Sequence, residues 1–231
     1  HCWIENERID MPAGIDQRSP ARHPDWLGPD DLALKIQEVR EATNHEIPIQ
    51  LKLGAARVYD DVRMAAKTGP DVIYIDGMEG STGAGPHLAT EDTGVPGIAA
   101  IRQARKALND VGKSGEISLV YAGGIRNGSD IAKALALGAD AVAIGYMKEV
   151  GVPAGYCYHC HTGRCPVGVA TQDPVLRKRL DPDAAAERVY NFLLTLTMEC
   201  QMMARACGKT NIHSLEPEDL AALTMEASAM A

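Results

Sequence analysis

The chain has 231 residues, 45% of them hydrophobic and 23% charged, with a formal net charge of −8. This is the composition of a globular protein with enough apolar material for one core or most of one. The acidic balance shows no clustered positive surface, which excludes nucleic acid and anionic membranes as partners, and no apolar run approaches the roughly 20 residues of a spanning helix. With no signal-peptide pattern at its start, the chain is expected to be cytoplasmic. Six cysteines are present, and Cys157, Cys160 and Cys165 lie within nine positions while Cys2, Cys200 and Cys207 are scattered. That grouping suits metal ligation in a reducing compartment and not a disulfide framework.

Residues His1 to Pro29 lack a sustained period and read as a loop. Within it, Gly14 to Asp25 gathers two arginines, a histidine and two acids, either as a solvated connector or as a ligand-facing segment. Pro29-Asp30-Asp31 opens a helix to about Glu41, with Leu32, Leu34, Ile36 and Val39 as its expected buried stripe. Ile47 to Gly54 is a strand that sets Lys52 among aliphatic residues. At the end of a barrel strand Lys52 would point into the mouth as a fixed cation, whereas on an edge it would snorkel to solvent. Asp60 to Thr68 reads as a helix and Asp71 to Gly77 as the next strand. The loop Met78 to Pro86, rich in glycine and hydroxyl groups, is suited to wrap a planar ring or bind a carboxylate, or else is plain surface loop. Val95 to Leu108 is a further helix.

Ser118 to Gly145 carries the densest signal. Ser118 to Ala122 is a strand, Gly123-Gly124 a sharp turn, Ser129 to Leu137 a helix capped by Ser129 or Asp130 and stopped by Gly138, and Asp140 to Ile144 a second strand ending in Gly145. Glycines at two successive strand ends are what the phosphate site of a (β/α)8 barrel needs, since the loops after strands seven and eight form it. The alternative is an ordinary βαβ unit whose glycines serve only turns. Four strands in α/β alternation make half of a (β/α)8 TIM barrel, which takes about 250 residues when complete; a five-stranded doubly wound sheet is the competing architecture.

Cys157-Tyr-His-Cys160-His-Thr-Gly-Arg-Cys165-Pro166 places soft thiolates close together before a proline. Three such ligands suit a three-iron cluster, or a four-iron cluster completed from elsewhere, while zinc would recruit His159 or His161 as a fourth ligand. Ala184 to Cys207 reads as a long helix with Val189, Phe192, Leu193, Leu196, Met198 and Met202 as a packing stripe, and Ser214 caps a last helix. The expected organisation is therefore the C-terminal half of a barrel in residues 1–150, a cluster loop in 151–180 and helices in 181–231.

Several blocks together resemble one family: Ser19-Pro20 with His23 and Asp25, Leu51-Lys52-Leu53, Asp76-Gly77 with Gly80-Ser-Thr-Gly83, Gly123-Gly124-Ile125-Arg126, Ala143-Ile144-Gly145, and Cys160-His-Thr-Gly-Arg-Cys165-Pro-Val-Gly-Val-Ala-Thr-Gln172. The chain is similar to the FMN-binding synthase domain of the glutamate synthase large subunit, and more closely to the stand-alone glutamate-synthase-like proteins. The last block is the specific one, whereas the Gly-Gly-Ile and Ala-Ile-Gly pieces also suit IMP dehydrogenase and the 2-hydroxy-acid oxidases.

The resemblance implies a barrel carrying FMN and an iron–sulfur cluster, 3Fe-4S in preference to 4Fe-4S, that reduces 2-iminoglutarate formed from 2-oxoglutarate and ammonia or an amine. By position it assigns the FMN phosphate to Gly123, Gly124 and Gly145, with Ile125 and Ile144 beside them, and the flavin ring to Thr82 and Gly83. It sets Lys52 near the pyrimidine edge as the catalytic cation, counts Asp76 among the cofactor contacts, and assigns the cluster to Cys157, Cys160 and Cys165. Two departures stand out. The family leaves a longer gap between its first two cysteines than the two residues here, and its barrel has an N-terminal half for which this sequence has no counterpart. Cys2 does not open a processed amidohydrolase, so ammonia is expected from solution or a glutaminase-type subunit, and electrons from a donor protein or reductase subunit, within an oligomer. A different class of function is a non-catalytic or electron-relay subunit that keeps the fold and the cluster.

Overall fold

Four aliphatic runs pair in parallel in the computed structural model, as β1 (Gln50–Gly54), β2 (Val72–Asp76), β3 (Ser118–Ala122) and β4 (Ala141–Ala143), in the order β1-β2-β3-β4. The structure describes residues 23, 25–80, 92–145 and 162–230. These fall into two units, one holding residues 162–195 and the other the remaining described residues. A doubly wound sheet reverses its strand order at a switch point. No reversal occurs here, so the sequential order is that of a partial (β/α)8 barrel.

Helices α1 (Pro29–Ala42), α2 (Val58–Ala66), α3 (Gly97–Asp110) and α4 (Gly128–Ala136) each precede a strand. Side chains alternate across a strand. Leu51, Leu53, Ile73, Ile75, Leu119, Tyr121 and Val142 therefore enter one core with Val58 and Val62 of α2, Ile101 and Leu108 of α3, and Leu137 after α4. The small residues Ala100, Ala104 and Ala107 let α3 lie close to that layer. The opposite row includes Gln50 and Lys52, both exposed, and Tyr74, Asp76 and Val120, partly buried. Register is flush at the C-terminal ends, with Gly54 opposite Asp76, Asp76 opposite Ala122 and Ala122 opposite Ala143. The loops that follow β1, β2 and β3 thus leave the sheet at one level.

The far end of the sheet is held by a device used twice. The Asp71 carboxylate accepts from the Ile49 N–H at 2.6 Å and from Arg40 of α1 at 2.9 Å. The Asp140 carboxylate accepts from the Leu119 N–H and from Arg105 of α3, both at 2.7 Å. Arg105 also donates to the Gly138 carbonyl at 2.7 Å and to the Ser114 hydroxyl at 2.8 Å. Each carboxylate, one residue before its strand, ties the entry of that strand to the neighbouring strand's start and to a helix. Arg105→Ala is expected to lower unfolding free energy by about 1.5–3 kcal/mol in urea titration, the range for hydrogen bonds to a charged group; an unchanged midpoint would remove Arg105 from this role.

Element boundaries depart from the sequence expectations where local chemistry intervenes. β1 starts at Gln50 and not Ile47, because Pro48 has no N–H to give a ladder. The N-cap of α4 is Asn127, whose side chain accepts from the Asp130 N–H at 2.9 Å, so the helix begins before Ser129. On α1 only Ile36 is buried and Leu34 is 69% exposed, two positions away and therefore on the far side of the helix.

In the smaller unit, the short helix α5 (Pro174–Arg177) is capped by Asp173, and Arg179 donates to the Pro166 carbonyl at 3.0 Å. The long helix α6 spans Pro182–Ala206; its residues from Leu196 on belong to the larger unit, where Leu196, Cys200 and Ala204 are buried. Val189 and Phe192 are partly buried, but Met198 and Met202 of the expected stripe are 58% and 59% exposed. The helix expected at Ser214 is replaced by single 3-10 turns at Ile212–Ser214 and Pro217–Asp219, with α7 only at Met225–Met230. Lys209 donates to the Ser214 carbonyl at 2.7 Å and pairs with Glu216 and Asp219 at 2.6 Å, holding this segment in tight turns.

Candidate cofactor site

Gly54, Asp76 and Ala122 end their strands at one level, and the segments after them cross-link. The Ala55 N–H donates to the Asp76 carbonyl at 2.8 Å and the Gly77 N–H to the Ala122 carbonyl at 2.9 Å. Lys52 lies on the open face of β1, opposite Tyr74 in register. Its ammonium is 2.6 Å from the Asp76 carboxylate and 4.8 Å above the Tyr74 ring. The hydrogen bond that the Lys52 ammonium donates to Asp76 raises the Lys52 pKa more than burial lowers it. Lys52 is a fixed cation.

Gly80 makes that pairing possible, since a Cβ there would lie 1.8 Å from an Asp76 carboxylate oxygen. The Gly77–Gly80 segment in turn touches the Gly123–Gly124 turn: a Cβ on Gly123 would meet the backbone nitrogens of Gly77 at 3.2 Å and Gly80 at 3.3 Å. Gly123 and Gly124 have φ of +114° and +67°, a conformation that favours glycine. Among the described residues, neither the Gly124 nor the Ile125 N–H donates a hydrogen bond. Successive backbone N–H groups left open in a left-handed turn at a strand end make a concavity for an anion.

Glu79 borders this turn. Its carboxylate accepts from the Gly97 N–H at 3.1 Å, at the positive end of α3, and its side chain would touch a Cβ on Gly124 at 3.2 Å. Beside it, a cleft of about 450 Å³ is lined by Glu79, Ile98, Tyr121, Gly124, Arg126 and Lys133. Sequence reasoning assigned no role to Glu79 or Tyr121. The placement of Tyr121 was readable from strand alternation, and that of Glu79 was not.

Lys52, Asp76, Gly123 and Gly124 are therefore brought together through the Gly77–Gly80 segment. Ile125 packs against the core. Ile144 and Gly145 follow Ala143, the register partner of Ala122, so they lie level with the glycine turn. Among the described residues, a Cβ on Gly145 would meet nothing within 4 Å. Thr82 and Gly83, and Cys157 and Cys160, lie outside the described residues.

In the smaller unit, Cys165 is buried with a specific environment. Burial pushes its thiol pKa up, but the neighbouring backbone N–H groups of residues 167–170 outweigh it and hold the thiol below its ordinary value, and the Gly168 N–H donates to the Cys165 carbonyl at 3.3 Å. Gly168, at φ +83°, brings this loop close against α5, where a Cβ would lie 2.5 Å from the Leu176 carbonyl oxygen. A thiolate so surrounded is suited to ligate a soft metal centre. Among the described residues no three metal-ligating side chains cluster.

The sheet order and the glycine turn at its carboxyl ends define part of a (β/α)8 barrel with a site at the strand ends. The fold matches a flavocytochrome b2 variant with benzoylformate at a TM-score of 0.52 and 22% identity, covering 80% of this chain and 37% of that one. That likeness is one of fold. The conserved region in glutamate synthase matches residues 5–210, and the chain belongs to the glutamate synthase family. It is 52% identical over 237 residues to a glutamate synthase large subunit-like protein of Rhizobium meliloti, covering 96% of this chain and 54% of that protein. It is also 39% identical over 208 residues to an archaeal glutamate synthase (NADPH) of Archaeoglobus fulgidus, covering 89% and 40%. The chain spans about half the length of these curated relatives. No described helix is long and apolar enough to cross a membrane.

Proposed function

We propose that this chain is the FMN- and cluster-binding part of a glutamate synthase-like oxidoreductase. The reaction is reduction of 2-iminoglutarate, formed from 2-oxoglutarate and ammonia or an amine, to glutamate or an N-substituted glutamate. The observation that carries this reading is the pair of open N–H groups at Gly124 and Ile125, level with the Lys52–Asp76 pair, in a chain of this family. The backbone at Gly123-Gly124 and Gly145, with Ile125 and Ile144 adjoining, would hold the FMN phosphate, and Thr82 and Gly83 would line the ring.

When bound, FMN supplies the hydride chemistry, and the protein supplies binding, orientation and charge. Lys52 stabilises negative charge in the mouth, and Asp76 fixes where its ammonium sits. Cys157, Cys160 and Cys165 would hold the iron–sulfur cluster, of 3Fe-4S type, whose chemistry is one-electron transfer. The buried position of Cys165 and its lowered thiol pKa support its place as a ligand. Electrons would come from a donor protein or a reductase subunit, in keeping with the NADPH in the names of the relatives. Residues 1–150, 151–180 and 181–231 would serve as half-barrel, cluster loop and supporting helices in a cytoplasmic oligomer.

Gly124→Val tests the reading. A β-branched side chain is disfavoured at φ +67° and meets Glu79, so the turn must reshape. The full-length variant should lose FMN during purification while its far-ultraviolet circular dichroism stays that of the wild type. Full retention of FMN would remove the phosphate from this turn.

A further inference from the structure

Tyr121 sits on the helix-facing side of β3, one residue before the strand ends, and is 5% exposed. Its ring packs against the first residue of α3: a Cβ on Gly97 would lie 2.1 Å from the Tyr121 oxygen and 2.4 Å from a ring carbon. Only glycine at 97 leaves room for the phenol to reach past α3. There the hydroxyl donates to the Gly123 carbonyl at 2.5 Å. Burial, with the carboxylates of Glu79, Asp76 and Asp130, holds the phenol pKa well above its ordinary value, so the group is a donor at any working pH.

The consequence follows from peptide geometry. In a planar trans peptide the C=O of one residue and the N–H of the next point in opposite directions. A Gly123 carbonyl tied to Tyr121 on the helix-covered side leaves the Gly124 N–H pointing away from that side. With φ unrestrained by a side chain at both glycines, this peptide would otherwise be free to turn over. We propose that Tyr121 is a positioning residue that aims the Gly124 N–H at the cofactor phosphate by holding the Gly123 carbonyl from behind. Gly97 belongs to the same device, because any side chain there would displace the phenol. The inference rests on the FMN reading given above.

Tyr121→Phe keeps the ring and its packing on Gly97 and removes only the donated hydrogen bond. Dissociation constants for FMN and for riboflavin, which lacks the phosphate, are measured by flavin fluorescence on full-length apoprotein of both forms. FMN binding should weaken roughly 3- to 10-fold, the range of one neutral hydrogen bond, while riboflavin binding stays unchanged. Equal weakening of both ligands, or no change in either, overturns the proposal. Failure of wild-type protein to bind FMN at all would instead overturn the functional reading, and this inference with it.

Discussion

Lys52→Met is expected to lower the rate of 2-iminoglutarate reduction by roughly 10²–10³, the loss seen when one preorganised charge stabiliser is removed. Its folding stability should hardly move. The Lys52 side chain is 58% exposed and Asp76 is 23% exposed, and an ion pair this open to water contributes about 0–1 kcal/mol. The pair is thus poorly explained by stability and well explained by placement, on the open face of the sheet at its carboxyl end. The sign of the pKa shift points the same way. A lysine nucleophile is activated by a lowered pKa, whereas the hydrogen bond donated to Asp76 raises that of Lys52. Its charge is fully present below the ordinary lysine value of 10.5 and is lost only as pH rises through the raised folded value. No rate change between pH 6 and 9 should therefore trace to Lys52, and borohydride trapping of a substrate adduct on it would contradict the electrostatic role.

Gly128→Val is expected to have the largest effect on stability. Gly128 is buried at the first turn of α4, and a Cβ there would lie 2.3 Å from the Glu199 Cβ and 2.5 Å from both the Cys200 nitrogen and the Leu196 oxygen. The obstacle is the backbone of α6, which a rotamer change does not move. The same approach lets the Glu199 carboxylate accept from the Gly128 N–H at 2.7 Å, at the positive end of α4. A valine both overpacks the contact and breaks this charged hydrogen bond, a combined loss of at least ~3 kcal/mol. The melting temperature should fall by roughly 6–12 °C for a domain of this size. Gly115→Ala is the control: it lies in a loop turn, a Cβ there meets nothing within 4 Å, and its melt should match the wild type. A wild-type melt for Gly128→Val would show that α6 does not rest on α4 as described.

Strand runs closed by glycine, and the order of helices between them, made the half-barrel legible in the sequence. Lys52, Asp76 and the Gly123-Gly124 turn were legible as separate pieces. Their juxtaposition was not, because the 2.6 Å contact between Lys52 and Asp76 depends on strand register and on a glycine at 80. The match of Tyr121 to Gly97 was hidden for the same reason, since a phenol and a glycine in different elements become complementary only once α3 lies on β3. Periodicity misread α6: apolar side chains at helical spacing wrap more than one face, and the face that packs is the one whose small residues, Cys200 and Ala204, let a neighbour come close. The last turns failed as a helix because Lys209 ties Glu216 and Asp219 into tighter structure.

The most direct test of the central claim is the absorbance spectrum and acid-released cofactor of the full-length protein, followed by one turnover. Purified aerobically, it should show flavin bands over iron–sulfur absorbance and release FMN on denaturation. After photoreduction under anaerobic conditions, addition of 2-oxoglutarate and ammonium, with candidate amines in parallel, should restore the oxidised flavin spectrum and yield glutamate or an N-substituted glutamate by mass spectrometry. A colourless protein that releases no FMN, or a flavoprotein whose reoxidation yields no such product, would contradict the account.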